Sequence, residues 1–296
     1  MTTATLAAIV LIGGFIALML MRVPVSFAML LSTLGCALVT GTNFSVLVRQ
    51  MVDGVNNFSL LSIPFFILMG EIMGAGGISD KIIDLANLAV GRFRGGLAYV
   101  NCLSSMFFGG ISGSAVADVS SLGSVVIPMM VKQGYDEDFS VGLTVTTACQ
   151  GVLIPPSHNM VIYALAAGGV SIGTLFMAGL LPGIALGCGM IIMCMMMAKR
   201  YNFPKGEGVA KGEGIKVLLR GILPMMTLII IMVGTGAGVF TATEASAIAC
   251  VYTMFLSMVV FRSVKLRDVG GILKNSLKTL AIVMTLLATA KAFAYM

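Results

Sequence analysis

Long stretches without a charged residue are the strongest constraint on what this chain can fold into. Asp, Glu, Lys and Arg are absent from residues 1–21, 23–48, 95–117, 139–198 and 221–243. A membrane-crossing helix needs about 20 mostly apolar residues, so the fourth stretch has room for two crossings. Only 10% of the 296 residues are charged, against about 25% in soluble domains. The sequence therefore predicts an all-α integral membrane protein with several crossings.

Apolar length and turn residues divide the chain into a series of predicted helices. Two segments have mixed polarity and are predicted to be amphipathic: 43–58, and 78–94 with Ser79 or Asp80 as its N-cap. The predicted membrane helices cover about 4–21, 25–40, 60–76, 139–168, 174–198, 218–239 and 243–261, and a further one begins near 277.

The segment 96–131 has a different pattern. Two apolar pieces, 96–109 and 117–131, flank the polar sequence Gly-Gly-Ile-Ser-Gly-Ser at 109–114. Each piece has about 15 residues and is about 22 Å long as a helix, which is short for a hydrocarbon core about 30 Å thick. We therefore predict a re-entrant hairpin whose tip lies at membrane depth, where non-helical backbone is tolerated only inside protein or along a water-filled cavity.

The predicted helix 139–168 is interrupted at residues 151–156, Gly-Val-Leu-Ile-Pro-Pro. Two prolines remove two backbone donors and leave carbonyl groups of the preceding turn unpaired. Pro and Gly are common in membrane helices, so this break or the hairpin tip taken alone is compatible with a simple kink. Two such breaks in one chain favour a binding site, because unwound carbonyls hold coupling ions in secondary transporters.

The positive charges indicate the orientation of the chain. With the N-terminus outside and 96–131 entering from inside, 16 of the 18 Lys and Arg residues lie on the inner side, all except Arg49 and Lys291. This is the asymmetry expected of membrane proteins. The net charge of +6 is thus explained by topology and the lipid surface, and does not indicate a nucleic-acid partner.

Motifs spread along the whole chain resemble one known family. They are Ser-Ile-Pro-Phe-Phe at 62–66, Gly-Glu-Ile-Met at 70–73, Ser-Gly-Ser-Ala-Val-Ala-Asp at 112–118, Ile-Pro-Pro-Ser at 154–157, Leu-Phe-Met-Ala-Gly at 175–179, Pro-Gly at 182–183, Gly-Val-Phe-Thr at 238–241 and Thr-Glu-Ala at 243–245. As a set they resemble the large membrane subunit, DctM type, of tripartite ATP-independent periplasmic (TRAP) transporters.

The resemblance implies an elevator transporter with an inverted repeat and two re-entrant hairpins. The first repeat is expected at 1–198, a cytoplasmic linker at 199–216 and an incomplete second repeat at 217–296. The chain stops inside the last predicted helix, so the family's C-terminal third, with its second hairpin, is expected to be missing, and the chain is expected not to transport alone. The family often has Pro where Val152 stands, so the break is expected to be milder here.

The resemblance also implies the residues of the sites. Two sodium sites are expected, one per hairpin, and the first is expected at Ser112 and Ser114 together with backbone carbonyls of Gly151, Ile154 and Pro156. Residues that are candidates for substrate contact share a position at the tip or just after the break: Gly113, Ser114, Ala115, Asp118, Ser157, His158 and Asn159. Asp118 is expected either to hydrogen-bond the tip serines or to line the site. His158 is expected either to satisfy freed carbonyls or to titrate near the substrate.

The expected activity is sodium-coupled uptake of a small organic anion, of the carboxylate class, across the bacterial inner membrane, and not an enzymatic reaction. A periplasmic solute-binding protein and a small four-helix membrane subunit are the expected partners. The acids Glu71 and Glu244 are interpreted as groups near helix ends that cap or hydrogen-bond.

Three alternatives remain open at this stage. The first is a sodium/dicarboxylate symporter that needs no binding protein, and the second is a structural fragment. The third is an intramembrane serine hydrolase, because Gly-Ile-Ser-Gly at 110–113 has the form used by rhomboid-type proteases and His158 could act as the base.

Overall fold

A computed structural model describes residues 3–168, 170–206, 208 and 212–296. Helices dominate this described part, which contains no strand and only an isolated β-bridge between Arg94 and Lys205. Seven of its helices are long and apolar enough to cross a membrane. The all-α polytopic class predicted from the sequence is therefore confirmed.

The described residues form thirteen helices, two of which include a π-helical turn. They are α1 Thr3–Leu20, α2 Val25–Thr40, α3 Phe44–Val55, α4 Ser62–Ala75, α5 Ile78–Val90, α6 Gly96–Ser112, α7 Ala115–Lys132, α8 Glu137–Leu153, α9 His158–Ala166, α10 Ile172–Arg200, α11 Gly214–Gly236, α12 Ala242–Val260 and α13 Val269–Tyr295. A 3₁₀ turn, Phe58–Leu61, precedes α4, and another, Leu266–Asp268, precedes α13.

Helix ends coincide with residues that satisfy unpaired backbone groups. Asp136 caps α8 by accepting a hydrogen bond from the Phe139 amide at 2.9 Å. Gly41 ends α2 in the left-handed conformation that glycine adopts without strain. The two termini of α2 match the prediction because Pro24 and Gly41 mark them in the sequence.

The chain divides into two compact units. One comprises the chain up to Leu60 together with Leu277–Met296, and the other comprises Leu61–Ser276. The predicted repeats, 1–198 and 217–296, are a different kind of division, and they stay a prediction. Within the second unit, α6 packs against α4, α5, α7, α8 and α10. Fourteen of its 17 residues are buried, so α6 is the central helix of this unit.

The hairpin has longer helices than predicted. Gly109 and Gly110, expected in the tip, continue α6, and the non-helical tip consists of Gly113 and Ser114. With 17 and 18 residues, α6 and α7 are about 26 and 27 Å long. The length argument for a re-entrant hairpin is therefore weaker than the sequence suggested, and entry of the tip to membrane depth remains a prediction.

Other boundaries also differ from the prediction. The N-cap of α5 is Gly77 in a left-handed conformation, and neither Ser79 nor Asp80 caps the helix, because the helix already begins at Ile78. The Ser79 hydroxyl lies 2.5 Å from that of Ser121 instead. Helix α13 begins at Val269 and not near 277, because the Asp268 carboxylate accepts the Lys265 amide and starts the turn that leads into it.

The predicted linker, 199–216, is partly helical. Arg200 ends α10 and Gly214 begins α11. Arg94 holds the start of the linker, after α10, by donating hydrogen bonds to the Asn202 side chain at 2.8 Å and to the Phe203 carbonyl at 3.1 Å. Residues 207 and 209–211 of the linker, and Gly169 before α10, lie outside the described residues.

Candidate functional site

The hairpin tip lies directly against the break between α8 and α9. Gly113 has a φ of +64°, and a Cβ at this position would lie 2.8 Å from the Cα of Ser157 and 3.1 Å from the His158 nitrogen. The Gly113 carbonyl accepts hydrogen bonds from Ser157 Oγ at 3.4 Å and from Asn159 Nδ2 at 3.2 Å. The close approach predicted for these two interruptions is therefore confirmed, and it requires glycine at the tip.

Glycines bring α6 and α8 into backbone contact beneath the tip. A Cβ on Gly151 would lie 2.6 Å from the Cα of Gly109, and one on Gly110 would lie 2.8 Å from Ile154 Cγ2. The two glycines predicted to form the tip are helical for this reason: they are needed where the helices cross. The break itself is shorter than predicted, because α8 runs through Leu153 and only residues 154–157 are non-helical.

Backbone oxygens without helical partners line this crossing. The carbonyls of Gly151 and Val152 have no amide partner four residues later, because those positions are Pro155 and Pro156. The Gly151 oxygen lies 3.2 Å from the Cβ position of Gly109, and the Pro156 oxygen 3.2 Å from that of Gly113. Neutral oxygens of this kind suit an alkali cation, and the described residues hold no cluster of three His, Cys, Asp or Glu side chains.

The two tip serines differ in how they are held. Ser112 is buried, and its hydroxyl makes only long hydrogen bonds, to the Ser114 amide at 3.4 Å and the Ser114 carbonyl at 3.5 Å. The Ser114 hydroxyl caps α7 by accepting from the Ala117 amide at 3.3 Å. Each hydroxyl oxygen retains acceptor capacity, so both are compatible with the predicted cation site.

Two helix N-termini converge at the tip. Helix α7 begins at Ala115, next to Gly113, and α9 begins at His158, whose backbone nitrogen packs against Gly113. The first amides of a helix lack internal partners and carry partial positive charge. The structure therefore brings together Gly113, Ser114, Ala115, Ser157, His158 and Asn159 of the predicted substrate residues, in an arrangement that favours an anion.

His158 faces the tip from the start of α9. It is 8% exposed, the Ser112 backbone interacts with its imidazole, and its Nδ1 has no hydrogen-bond partner among the described residues. The Ser112 hydroxyl, by contrast, pairs with Ser114. The structure thus provides a histidine that contacts the tip backbone, and not the serine–histidine hydrogen bond that a hydrolase requires.

Asp118 lies below the tip and faces inward. It is 1% exposed, and its Oδ2 lies 3.5 Å from the Cβ position of Gly151. The Ser105 hydroxyl interacts with this carboxyl, and no hydrogen bond of regular geometry reaches either carboxyl oxygen in the described part of the chain. Of the two alternatives left open for Asp118, the hydrogen bond to the tip serines is not formed.

A buried polar network between α6 and α8 was not predicted from the sequence. Asn101 donates to Thr144 Oγ1 at 2.7 Å, and Ser105 donates to Thr147 Oγ1 at 3.2 Å. Gln150 Nε2 donates to the Cys102 carbonyl at 2.7 Å. The available signal was the spacing of four between Asn101 and Ser105 and of three between Thr144 and Thr147, which places each pair on one helix face.

The two acids interpreted as structural have different surroundings. Glu244 forms a capping box at the start of α12: its carboxylate accepts from the Thr241 amide and hydroxyl at 2.8 Å each, and its amide donates to Thr241 Oγ1 at 3.3 Å. The interpretation of Glu244 as a cap is therefore confirmed. Glu71 lies inside α4, four residues before its end at Ala75, and is half-buried.

Replacement of Thr241 by alanine is expected to lower the free energy of unfolding by about 1 kcal/mol, because the N-cap hydroxyl is lost. Chemical denaturation of the purified protein, followed by circular dichroism, measures this change. Thr241→Ser keeps the hydroxyl and is the control. A Thr241→Ala protein as stable as the control would contradict the capping role.

Comparison with known proteins identifies the family. The model of the tripartite ATP-independent periplasmic transporter, DctM component, matches residues 12–296. The chain therefore belongs to this family. The curated relatives whose names state a role are TRAP transporter large permeases and not enzymes, so the serine hydrolase alternative is set aside.

Three curated relatives illustrate the similarity. The chain is 38% identical over 291 residues to the uncharacterized protein YgiK of Salmonella typhimurium, covering 97% of this chain and 66% of that protein. It is 35% identical over 287 residues to the sialic acid TRAP transporter large permease SiaM of Vibrio cholerae (96% and 66%). It is 34% identical over 294 residues to the 2,3-diketo-L-gulonate large permease YiaN of Escherichia coli (98% and 68%). The chain spans about two thirds of the length of these relatives.

Proposed function

We propose that this chain acts as a large permease in a sodium-coupled transporter for small organic anions. The contact between the hairpin tip and the broken helix carries this proposal. At that contact the Gly151 and Val152 carbonyls lack amide donors, and Ser112 presents a loosely held hydroxyl. Ser112, Ser114 and the carbonyls of Gly151, Ile154 and Pro156 supply the oxygens for one Na⁺.

The neutral character of these oxygens favours a monovalent cation. Divalent cations are normally held by several carboxylates, whereas unwound backbone carbonyls hold Na⁺ in secondary transporters. A cation at this place also holds the tip against the break, since the hairpin tip supplies Ser112 and Ser114 and the broken helix supplies the carbonyls. Sodium binding thereby orders the hairpin tip and the start of α9, which form the proposed substrate site.

The substrate class follows from the two helix N-termini at the tip. Their free amides, with Asn159 and His158 beside them, favour a carboxylate group. The names of the relatives point the same way, because sialic acid, 2,3-diketo-L-gulonate and C4-dicarboxylates are all carboxylates at neutral pH. A small organic acid is therefore the proposed cargo.

The family supplies the remaining parts of the proposal. A periplasmic binding protein delivers the anion, and a small four-helix membrane subunit completes the fixed scaffold. The part of the chain that contains the hairpin moves across the bacterial inner membrane as an elevator. The exposed apolar side chains of α1, α10 and α11 suit contact with lipid or with such a subunit. The N-terminus is proposed to lie outside.

The proposal is tested by uptake into proteoliposomes that contain the complete transporter with this chain. Radiolabelled organic acid, presented with its binding protein, should accumulate when Na⁺ is high outside and should stay at background when choline replaces Na⁺. Uptake that depends on a proton gradient and ignores Na⁺ would refute the coupling. Equal uptake with and without the binding protein would instead favour a symporter that takes its substrate directly.

A further inference from the structure

Helix α10 contacts the break through two glycines that have no role in the proposed ion or substrate site. A Cβ at Gly179 would lie 2.8 Å from the Leu153 carbonyl oxygen. A Cβ at Gly183 would lie 3.4 Å from both the Leu153 carbonyl carbon and the Ile154 nitrogen. The peptide bond that joins Leu153 to Ile154 therefore packs directly on the backbone of α10. At this peptide α8 ends and the non-helical segment 154–157 begins.

The side chain of Ile154 is held between α10 and α6. It is buried, its Cγ1 lies 2.5 Å from the Cβ position of Gly183, and its Cγ2 lies 2.8 Å from that of Gly110. Because Ile154 is β-branched, both of these atoms are attached directly to its Cβ, and contacts at both fix the χ1 angle. The two glycines therefore restrain the Ile154 backbone, whose carbonyl is one of the proposed sodium ligands.

An aromatic contact fixes the position of α10 along its own axis. Phe176 is fully buried on α10, and its ring packs edge-on against the ring of Phe66 on α4, with centroids 6.3 Å apart. Phe176, Gly179 and Gly183 follow one another at spacings of three and four residues, which places them on one face of the helix. The contact with Phe66 therefore sets the height at which the two glycines meet the break.

Three of the sequence motifs meet at these contacts, those at 62–66, 175–179 and 182–183. None of them supplies an oxygen to the proposed sodium site or a residue to the proposed substrate site. Their common feature is that they bring α10 against the start of the break and leave no side chain between the two backbones. This arrangement indicates a supporting role behind the ion ligands.

We propose that Phe176, Gly179 and Gly183 of α10 are positioning residues of the proposed sodium site. They do not touch the ion. They hold the peptide at which the break begins, and so keep the Ile154 carbonyl in the orientation that the site needs. A methyl group at Gly183 would displace Ile154, because Cγ1 cannot swing away as the end of a flexible side chain can. This inference rests on the proposed function.

The test measures equilibrium binding of ²²Na⁺ to the complete transporter in detergent, with Li⁺ as a competitor. We expect Gly183→Ala to raise the half-saturating Na⁺ concentration about tenfold, the size of effect that loss of a supporting contact has at metal sites. The preference for Na⁺ over Li⁺ should change as well, because a displaced carbonyl alters the size of ion that fits. Gly189→Ala is the matched control, since Gly189 is exposed on the same helix and a Cβ there meets nothing within 4 Å.

A compensating variant separates positioning from a loss of stability. Gly183→Ala combined with Ile154→Ala removes the Cγ1 that the new methyl group would meet and keeps a backbone carbonyl at position 154. The double variant should bind Na⁺ more tightly than Gly183→Ala alone. A protein that is merely less stable would instead show fewer binding sites at an unchanged half-saturation and an unchanged preference for Na⁺ over Li⁺. A double variant that binds no better than Gly183→Ala would contradict the role of this contact.

A second variant keeps the inference testable if Gly183→Ala does not fold. Phe176→Leu weakens the contact with Phe66 and leaves every residue of the break in place, and it should shift the Na⁺ half-saturation in the same direction. If each folded variant binds Na⁺ and Li⁺ as Gly189→Ala does, α10 does not position the site, and the proposed function stands. An unaltered transporter that binds no ²²Na⁺ would overturn the proposed function and this inference together.

Discussion

Replacement of Gly109 by alanine is expected to lower the free energy of unfolding by about 3 kcal/mol and to abolish transport. The added methyl group would overlap the Cα of Gly151 on the facing helix. Overpacking in a core costs about 1–3 kcal/mol where side chains can adjust. Here the opposing atom is backbone on both helices, so α6 and α8 must separate, and the tip loses its contact with the break.

The measurement combines denaturation of the purified transporter with uptake in proteoliposomes. Gly142→Ala is the matched control, because Gly142 lies on the exposed face of α8 and a Cβ there meets nothing within 4 Å. Alanine has the higher helix propensity, so Gly142→Ala should stabilise by up to about 1 kcal/mol and leave uptake unchanged. A Gly109→Ala protein that melts and transports like the control would show that the two helices do not cross at these glycines.

The same glycines show where prediction from the sequence succeeds and where it fails. The contact between tip and break was predictable, because a polar Gly-Ser sequence and a Pro-Pro pair are both unsatisfied within apolar segments. The extent of α6 was not. Gly109 and Gly110 were interpreted as loop because glycine has low helix propensity, but backbone packing against Gly151 and Ile154 overrides that preference.

The predicted start of helix α13 was wrong for a different reason. Its first eight residues, 269–276, contain Gly270, Gly271, Lys274 and Asn275 and lack a continuous apolar pattern, so hydropathy places the start near 277. The turn before Val269, with its Asp268 carboxylate bonded to the Lys265 amide, decides the start instead. A span defined by hydropathy marks where lipid can be tolerated, and α13 extends beyond that span.

Asp118 illustrates the limit of prediction at the site. Its position after the tip made it a candidate, and the sequence left open whether it bonds the serines or lines the site. The answer depends on how α7 packs, because the carboxyl is buried against Gly151 of α8 and makes no hydrogen bond to the tip serines. Such information is three-dimensional: it requires knowing which faces of α7 and α8 meet.

Combined replacement of Ser112 and Ser114 by alanine is expected to abolish sodium-dependent uptake. Each hydroxyl that interacts with a charged group contributes about 1.5–3 kcal/mol, so losing two weakens sodium binding by a factor of at least about 100. Uptake at rising Na⁺ concentrations in proteoliposomes measures the loss, and ²²Na⁺ binding assigns it to the ion and not to the substrate. Ser112→Ala alone should raise the half-saturating Na⁺ concentration about tenfold or more.

Capping at Ser114 must be separated from ion binding, since its hydroxyl also accepts the Ala117 amide. Ser114→Gly separates them: glycine at an N-cap costs only a few tenths of a kcal/mol, yet it removes the hydroxyl. Ser120→Ala is the matched control, because Ser120 is exposed on α7 and its hydroxyl bonds only the Ala117 carbonyl of its own helix. If Ser114→Gly and Ser112→Ala both keep the Na⁺ half-saturation of Ser120→Ala, the tip serines do not bind the ion, and the oxygens that hold it must be sought on the α8 side of the break.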